Sequence, residues 1–429
     1  MTYNGKHPAQ LGVELDTVLK AIAVKAALPA LSVDIDIAGS RISRAYREEA
    51  RPVSGDERPV FASGCLADIF IAIICLDQHQ RHGLDLDAPF ESILPELTPL
   101  VRAEHPVTVR HLLTRTGGMQ DPRTIEEMRA LIPWDTFAER VRTAKRLFTP
   151  GAVFNYGGID RGILNRLVAT YAGESIDRLA RKSIVDPAGI HIREIQYAPP
   201  QADGFRAIAK FDTATLLDVV APLARRDGSA AANPFPEGLR NQLQIERIPL
   251  SRSLRVQPWP HAPTAFTYGL FKFSDGLIGF NGWQENQSCA VRMDPQDEVS
   301  YVVALEGPPG VRDVIVAEIA QRLGYESVQS RGKPCTIGGL NGVAPNDVLG
   351  VYAGWAEGYE ANVTLEGGIL ACELNYRGDK FQRVRARLED GGWLVVDSAI
   401  NASALEFFRD GRTGRVCLAS GYLPYAKAA

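Results

Sequence analysis

The stretch Phe61 to Gly83, FASGCLADIFIAIICLDQHQRHG, constrains this chain more than any other. Ile69 to Leu76 is almost wholly apolar, so a helix here has no polar face to offer water and must be buried in a large surrounding domain. Gly83 supplies the C-terminal stop, because glycine adopts the left-handed conformation that ends helices. Just before the apolar run, Cys65 and Asp68 stand three residues apart, which puts them on one helix face. A thiol and a carboxylate in the first turn can bring a nucleophile and a proton carrier together. The plainer alternative is a cysteine buried as a small hydrophobe and an acid that complements the helix dipole.

The rest of the chain predicts mixed α and β structure. Leu11 to Ala27 has helical apolar spacing, whereas Leu31, Val33, Ile35 and Ile37 alternate as a half-buried strand does, and Ala38-Gly39-Ser40 reads as a hairpin turn. Residues 70 to 250 are mainly helical with Pro and Gly breaks, including Arg161 to Ala172 and Thr213 to Arg225. Thr267 to Phe273, Ala290 to Met293 and Val299 to Leu305 return to strand patterns, and Val311 to Leu323 reads as a helix. Residues 325 to 344, with Ser, Gly, Pro and Lys and no clear period, read as a linker. Beyond it, short apolar segments such as Leu394 to Val396 and Val416 to Leu418 alternate with Gly and Asp turns. The expected division is a domain over 1–324, a linker over 325–344 and a small β-rich domain over 345–429.

Four segments in order carry a family resemblance. The helix opening at Cys65 is followed by His82-Gly83-Leu84-Asp85-Leu86-Asp87-Ala88-Pro89, then by Val107-Thr108-Val109-Arg110-His111-Leu112-Leu113-Thr114-Arg115-Thr116-Gly117-Gly118-Met119. Pro150-Gly151-Ala152-Val153-Phe154-Asn155-Tyr156-Gly157-Gly158 comes next. This series, extending to about Gly307, resembles the serine β-lactamase, DD-peptidase and esterase superfamily, in its class C and esterase-like branch. The resemblance implies an antiparallel sheet made from both ends of the domain, flanked by helices, with a helical region inserted. It also implies a small C-terminal β-barrel, lipocalin-like, as often accompanies esterase and aminopeptidase members.

The same register puts Cys65 at the nucleophilic serine and Asp68 at the catalytic lysine, so both halves of Ser-x-x-Lys are replaced. Tyr156 keeps the tyrosine position, while Gly158 stands where the family has asparagine. The third motif, a basic residue and two small ones on a strand beside the pocket, best matches Asn281-Gly282-Trp283. Catalytic roles are therefore expected of Cys65, Asp68 and Tyr156, and substrate contacts of Asn281, Gly282, Trp283 and Gly158. Tyr156 would donate a hydrogen bond, and Asn281 could orient an oxyanion but not carry a proton near neutrality. The Cys65 N–H and one from the strand near Trp283 would form the oxyanion hole. Arg115 replaces a histidine in a loop that is usually structural, and no catalytic role is expected of it. At Cys65 the helix dipole favours a thiolate and a neighbouring carboxylate opposes one.

Three functions follow as expectations. One is acyl transfer or hydrolysis of an ester, amide or thioester through a Cys65 thioester. Another is acid–base chemistry by Asp68 and Tyr156 without a covalent intermediate, such as cyclisation, elimination or isomerisation. The last is ligand binding without catalysis. With the lysine absent, negligible hydrolysis of penicillins or cephalosporins is expected. The substrate is expected to be a small molecule, in one version carried by a carrier protein, with no cofactor and no metal. A net charge of −4 with both signs mixed gives no footprint for nucleic acid or an anionic membrane. The six cysteines lack metal-ligand spacing and the first ten residues lack a secretory apolar run, so a reduced cytoplasmic protein is expected, monomeric or homodimeric.

Overall fold

The structure is a computed structural model describing residues 8–98, 105–123, 127, 132–189, 194–196, 208–226, 233–250, 263–325, 336–337, 343–389, 392–398, 405–420 and 423–428. Its first unit is built on a nine-stranded antiparallel sheet drawn from both ends of residues 30–306. Ala30–Ile37 is its third strand from one edge, paired with Ser40–Arg47 on one side and Val299–Glu306 on the other. Gln287–Asp294 and Ile278–Gln284 follow outward. The hairpin at Ala38-Gly39 closes on an Ile37–Ser40 pair, with both loop residues at positive φ, the two-residue geometry that matches strand twist. The expected strand over Thr267–Phe273 is shorter, because Thr267 donates to the Leu270 carbonyl in a turn and the strand begins at Phe271.

Alternation along the strands explains why both faces of this sheet are covered. Val302 and Ala304 point to one core, whereas Tyr301, Val303 and Leu305 point to the other. The second core is closed by the helices Pro8–Lys25 and Pro309–Arg322, through Leu11, Leu15 and Leu19 and through Ile315 and Ile319. On the first face lies the inserted helical region, including Ala67–His82, Val109–Leu113, Ile159–Ala172 and Thr213–Ala224. Every residue from Ala67 to Gln78 is buried, as the apolar run requires. Gly83 caps this helix at φ 77°, and the Leu84 N–H donates back to the Gln78 carbonyl.

A second nine-stranded antiparallel sheet forms from the C-terminal part and curls into a half-barrel. Among the described residues, six of its eight strand pairings join strands adjacent in the chain, and Gly350–Gly354 also pairs with Leu423–Lys427, joining the two ends of the segment. Within the stretch read as a linker, Thr336–Ile337 pairs with Trp393–Leu394 of this sheet. Most of the remaining linker stretch lies outside the described residues. Among the described residues, Cys65, Cys75, Cys289, Cys372 and Cys417 are free thiols, and no helix is long and apolar enough to cross a membrane.

Candidate active site

Cys65 sits in a single helical turn, Gly64–Leu66, that leads directly into the buried helix. Two neighbours fix this turn. Phe61–Ala62 pairs with Lys210–Phe211, and the Ala62 N–H donates to Gln287 Oε1 at 2.8 Å, so the chain enters the turn anchored to the main sheet. Gly64 then has φ 51°, and a Cβ there would lie 2.7 Å from the Trp283 carbonyl oxygen and 3.0 Å from its nitrogen. Only glycine permits that approach, which presses the Cys65 turn against the Ile278–Gln284 strand. The Cys289 thiol lies behind the turn, 3.5 Å from the Ser63 carbonyl, and burial pushes it up to about 12.

Tyr156 reaches the same place from the other side. The Asn155 N–H donates to the Arg115 carbonyl at 2.8 Å, and Asn155 Oδ1 accepts from the Gly157 N–H at 2.9 Å. The first bond, with Asn155 Nδ2 donating to the Met119 carbonyl at 3.4 Å, holds the loop against the 115–119 segment, and the Tyr156 ring packs near Phe154, Phe271 and Phe280. Its hydroxyl lies beside Cys65 and Asp68, and its pKa is raised well above the ordinary value, by burial first and by the neighbouring Cys65 and Asp68 next. Gly158 is the residue from which helix Ile159–Ala172 starts, and its carbonyl accepts from the Gly162 N–H.

Asp68 is only 1 % exposed, and its charge is met by two arginines. Arg115 Nη2 lies 2.7 Å and Arg161 Nη1 3.1 Å from Asp68 Oδ1, both guanidiniums being under a tenth exposed. Neither approach is aligned as a hydrogen bond, and both carboxylate oxygens of Asp68 are without a hydrogen-bond donor among the described residues. The contact is therefore chiefly Coulombic, and strong because water is excluded. Arg115 also lies over the Tyr156 ring, with Cζ 5.9 Å from its centroid. Arg115, Arg161 and Asp68 carry one net positive charge among themselves, which the Asp160 carboxyl near Arg115 reduces when ionised. The cation that the resemblance places on the helix at position 68 is thus supplied from two other elements, in a form that cannot take up a proton.

Sequence reasoning set Arg115 aside and did not consider Arg161 or Asp160. One signal could have found the arginines: a carboxylate forced into an all-apolar helix needs a counter-ion. Asp160, one residue before Arg161, accepts the Gly117 N–H at 3.0 Å, and burial pushes its carboxyl up to about 7 against the pull of that N–H and of Arg115.

The expected third-motif residues are divided in what they present. Asn281 is half-buried and its Oδ1 has no hydrogen-bond partner among the described residues. Gly282 is packed on the Ser63 carbonyl and Cys289, and its own carbonyl accepts from Arg312 at 3.1 Å. The Trp283 side chain is 57 % exposed, so this residue meets the Cys65 turn through its backbone rather than its indole. The structure thus brings Cys65, Asp68 and Tyr156 together, with the strand 281–283 against the Cys65 turn.

Comparison with known proteins bears on the family and the fold. The sequence model of the Beta-lactamase family matches residues 18–326. Penicillin-binding protein 4 of Amycolatopsis lactamdurans is 26 % identical over 148 residues, which is 34 % of this chain and 38 % of that protein's length. Among solved structures, SurE with D-Leu superposes with a TM-score of 0.77 at 19 % identity, covering 98 % of this chain and 100 % of that one. EstCE1, described as a hydrolase with promiscuous acyltransferase activity, gives 0.58 at 15 % identity over 73 % of this chain and 98 % of its own. The octameric penicillin-binding protein homologue from Pyrococcus abyssi gives 0.56 at 17 % identity, covering 97 % and 99 %.

Proposed function

This chain belongs to the Beta-lactamase family, and from that premise we propose that it transfers or hydrolyses an acyl group through a Cys65 thioester. The observation that carries the reading is that Tyr156 lies beside Cys65 while Asp68 is engaged by two guanidiniums. A thiol needs less activation than a serine hydroxyl, so loss of the family lysine is tolerable at this position. In the acylation step Cys65 Sγ bonds to the substrate carbonyl carbon and the bond to the leaving thiolate or alkoxide breaks. The thiol proton passes to the Tyr156 hydroxyl, which gives its own proton to the leaving group. Water or an amine then reverses the sequence and frees Cys65.

The Cys65 N–H and an N–H of the adjoining strand would stabilise the oxyanion. The net positive charge of Arg115, Arg161 and Asp68 would favour the same negative charge from below. In this reading Asp68 places the guanidiniums rather than carrying a proton, so its engagement supports the covalent route over acid–base chemistry at that carboxylate. The substrate is an activated ester or thioester of a small metabolite, free or on a carrier protein, handled in a reducing compartment where Cys65 stays a thiol. Because a structure of this fold was determined with D-Leu, that amino acid is included as an acceptor.

Intact-protein mass spectrometry after exposure to activated acyl thioesters and esters tests the reading. Wild type is expected to gain one acyl group, Cys65→Ala none, and added D-Leu or water to discharge the adduct. Equal labelling of both proteins, or of neither, would sink the thioester mechanism.

A further inference from the structure

Among the described residues, the Trp355 side chain of the C-terminal half-barrel reaches the residue next to Tyr156. The Trp355 backbone carbonyl accepts the Asp121 N–H at 2.8 Å, the Glu357 N–H donates to the Asp121 carbonyl at 2.9 Å, and Gln120 Nε2 donates to the Gly354 carbonyl at 2.9 Å. These bonds fix Trp355 so firmly that Cε3 of its ring lies 3.3 Å from where a Cβ on Gly157 would be, one residue beyond Tyr156. Yet Trp355 Nε1 is buried and has no hydrogen-bond partner among the described residues. A buried N–H without an acceptor is penalised, and a bound acceptor would relieve that penalty.

Trp355 also begins a row of aromatic rings. Its centroid is 5.1 Å from that of Tyr359, which is 4.8 Å from Tyr376 and 5.8 Å from Phe381. Trp355, Tyr359 and Tyr376 are half-buried, and Phe381 is 44 % exposed. The row therefore runs from the residue beside Tyr156 to the surface of the half-barrel. An apolar chain leaving the site along it would pack on half-buried rings and reach the surface at Phe381.

We infer that the half-barrel forms one wall of the acyl subsite, taking an apolar acyl chain whose amide carbonyl, close to the reacting carbon, accepts the Trp355 Nε1–H. Trp355 is then a specificity-determining residue. This rests on the acyl-transfer reading and names its substrate class: amide-bearing, long-chain acyl thioesters.

The test compares Cys65 labelling by N-acetylcysteamine thioesters of decanoylglycine and dodecanoic acid, which have similar reach but differ in the amide. Wild type is expected to react about fivefold faster with the decanoylglycyl probe, the worth of one hydrogen bond. In Trp355→Phe that ratio should fall to about one, and in Trp355→Ala the advantage of both long probes over the acetyl thioester should shrink. A ratio that is unchanged in Trp355→Phe overturns the inference while leaving the acyl-transfer reading standing. Should no probe label Cys65, that reading fails and a binding measurement decides the subsite. Decanoylglycinamide is titrated into wild type, with the Trp355 indole N–H resonance identified by its absence in Trp355→Phe. A shift of that resonance upholds the subsite, and no shift overturns it.

Discussion

At the residue scale, the site is organised by where its charges are neutralised. Asp68 on the buried helix would be untenable alone, and Arg115 and Arg161 meet it within ion-pair distance. Asp160 is less well compensated, with a carboxyl raised to about 7 chiefly by burial. An acid whose native pKa exceeds its unfolded one, near 4, holds its proton more tightly in the fold, so this group stabilises most at low pH. Its contribution should be lost as pH rises from about 4 through about 7, by ~1.4 kcal/mol for each pKa unit of the difference. Asp160→Asn keeps an oxygen for the Gly117 N–H but removes the titration. Urea denaturation of both proteins from pH 5 to pH 8 should therefore show wild type losing stability relative to the variant. Parallel curves would exclude Asp160 as a titrating group in this range.

At the scale of elements, the decisive contact is between the Gly64–Leu66 turn and the Ile278–Gln284 strand. Gly64→Ala would face both a left-handed backbone and a Cβ 2.7 Å from the Trp283 carbonyl oxygen. We expect a loss of about 1–2 kcal/mol in stability from the backbone alone. The larger effect should be on labelling of Cys65, slowed more than about tenfold as the turn and strand move apart and the oxyanion donors with them. Full labelling speed in a folded Gly64→Ala protein would show that this contact does not set the geometry of reaction. The buried helix itself was legible from composition, since Ile69 to Leu76 offers no polar face and Gly83 ends it. The shortened strand at Phe271 was not, because Thr267 uses its N–H and hydroxyl on Leu270 in a turn that apolar spacing does not reveal.

At the scale of the whole molecule, the half-barrel is joined to the loops that carry the site. Leu147, Phe148 and Val153 pack with Cys417 and Ala426, and Asp410 accepts the Thr149 N–H at 2.9 Å and its hydroxyl at 3.1 Å. Burial alone would raise the Asp410 carboxyl, but N–H groups of Thr149, Arg412 and Thr413 outweigh it and hold it below the usual range. Asp410→Ala should cost about 2 kcal/mol and loosen this contact. Cys417 reports on it directly, because its thiol is fully buried there, whereas Cys372 lies in the half-barrel's own core. Mass-spectrometric thiol labelling should find Cys417 modified faster in the variant and Cys372 little changed. Equal acceleration at both cysteines would mean that the half-barrel unfolds rather than separates.

The sequence by itself determined the fold class, the buried helix with Cys65 at its head, and the place of Tyr156, because these depend on local patterning and on motifs that keep their order. Only the tertiary structure decided what surrounds Asp68. Arg115 and Arg161 lie far from it along the chain, and their pairing is a long-range Coulombic choice made when water is expelled, to which periodicity is blind. The same holds for Trp355, which reaches Gly157 from the other sheet. Local preference writes the elements, whereas the partners of buried charges and rings are settled by which surfaces the folded chain brings into contact.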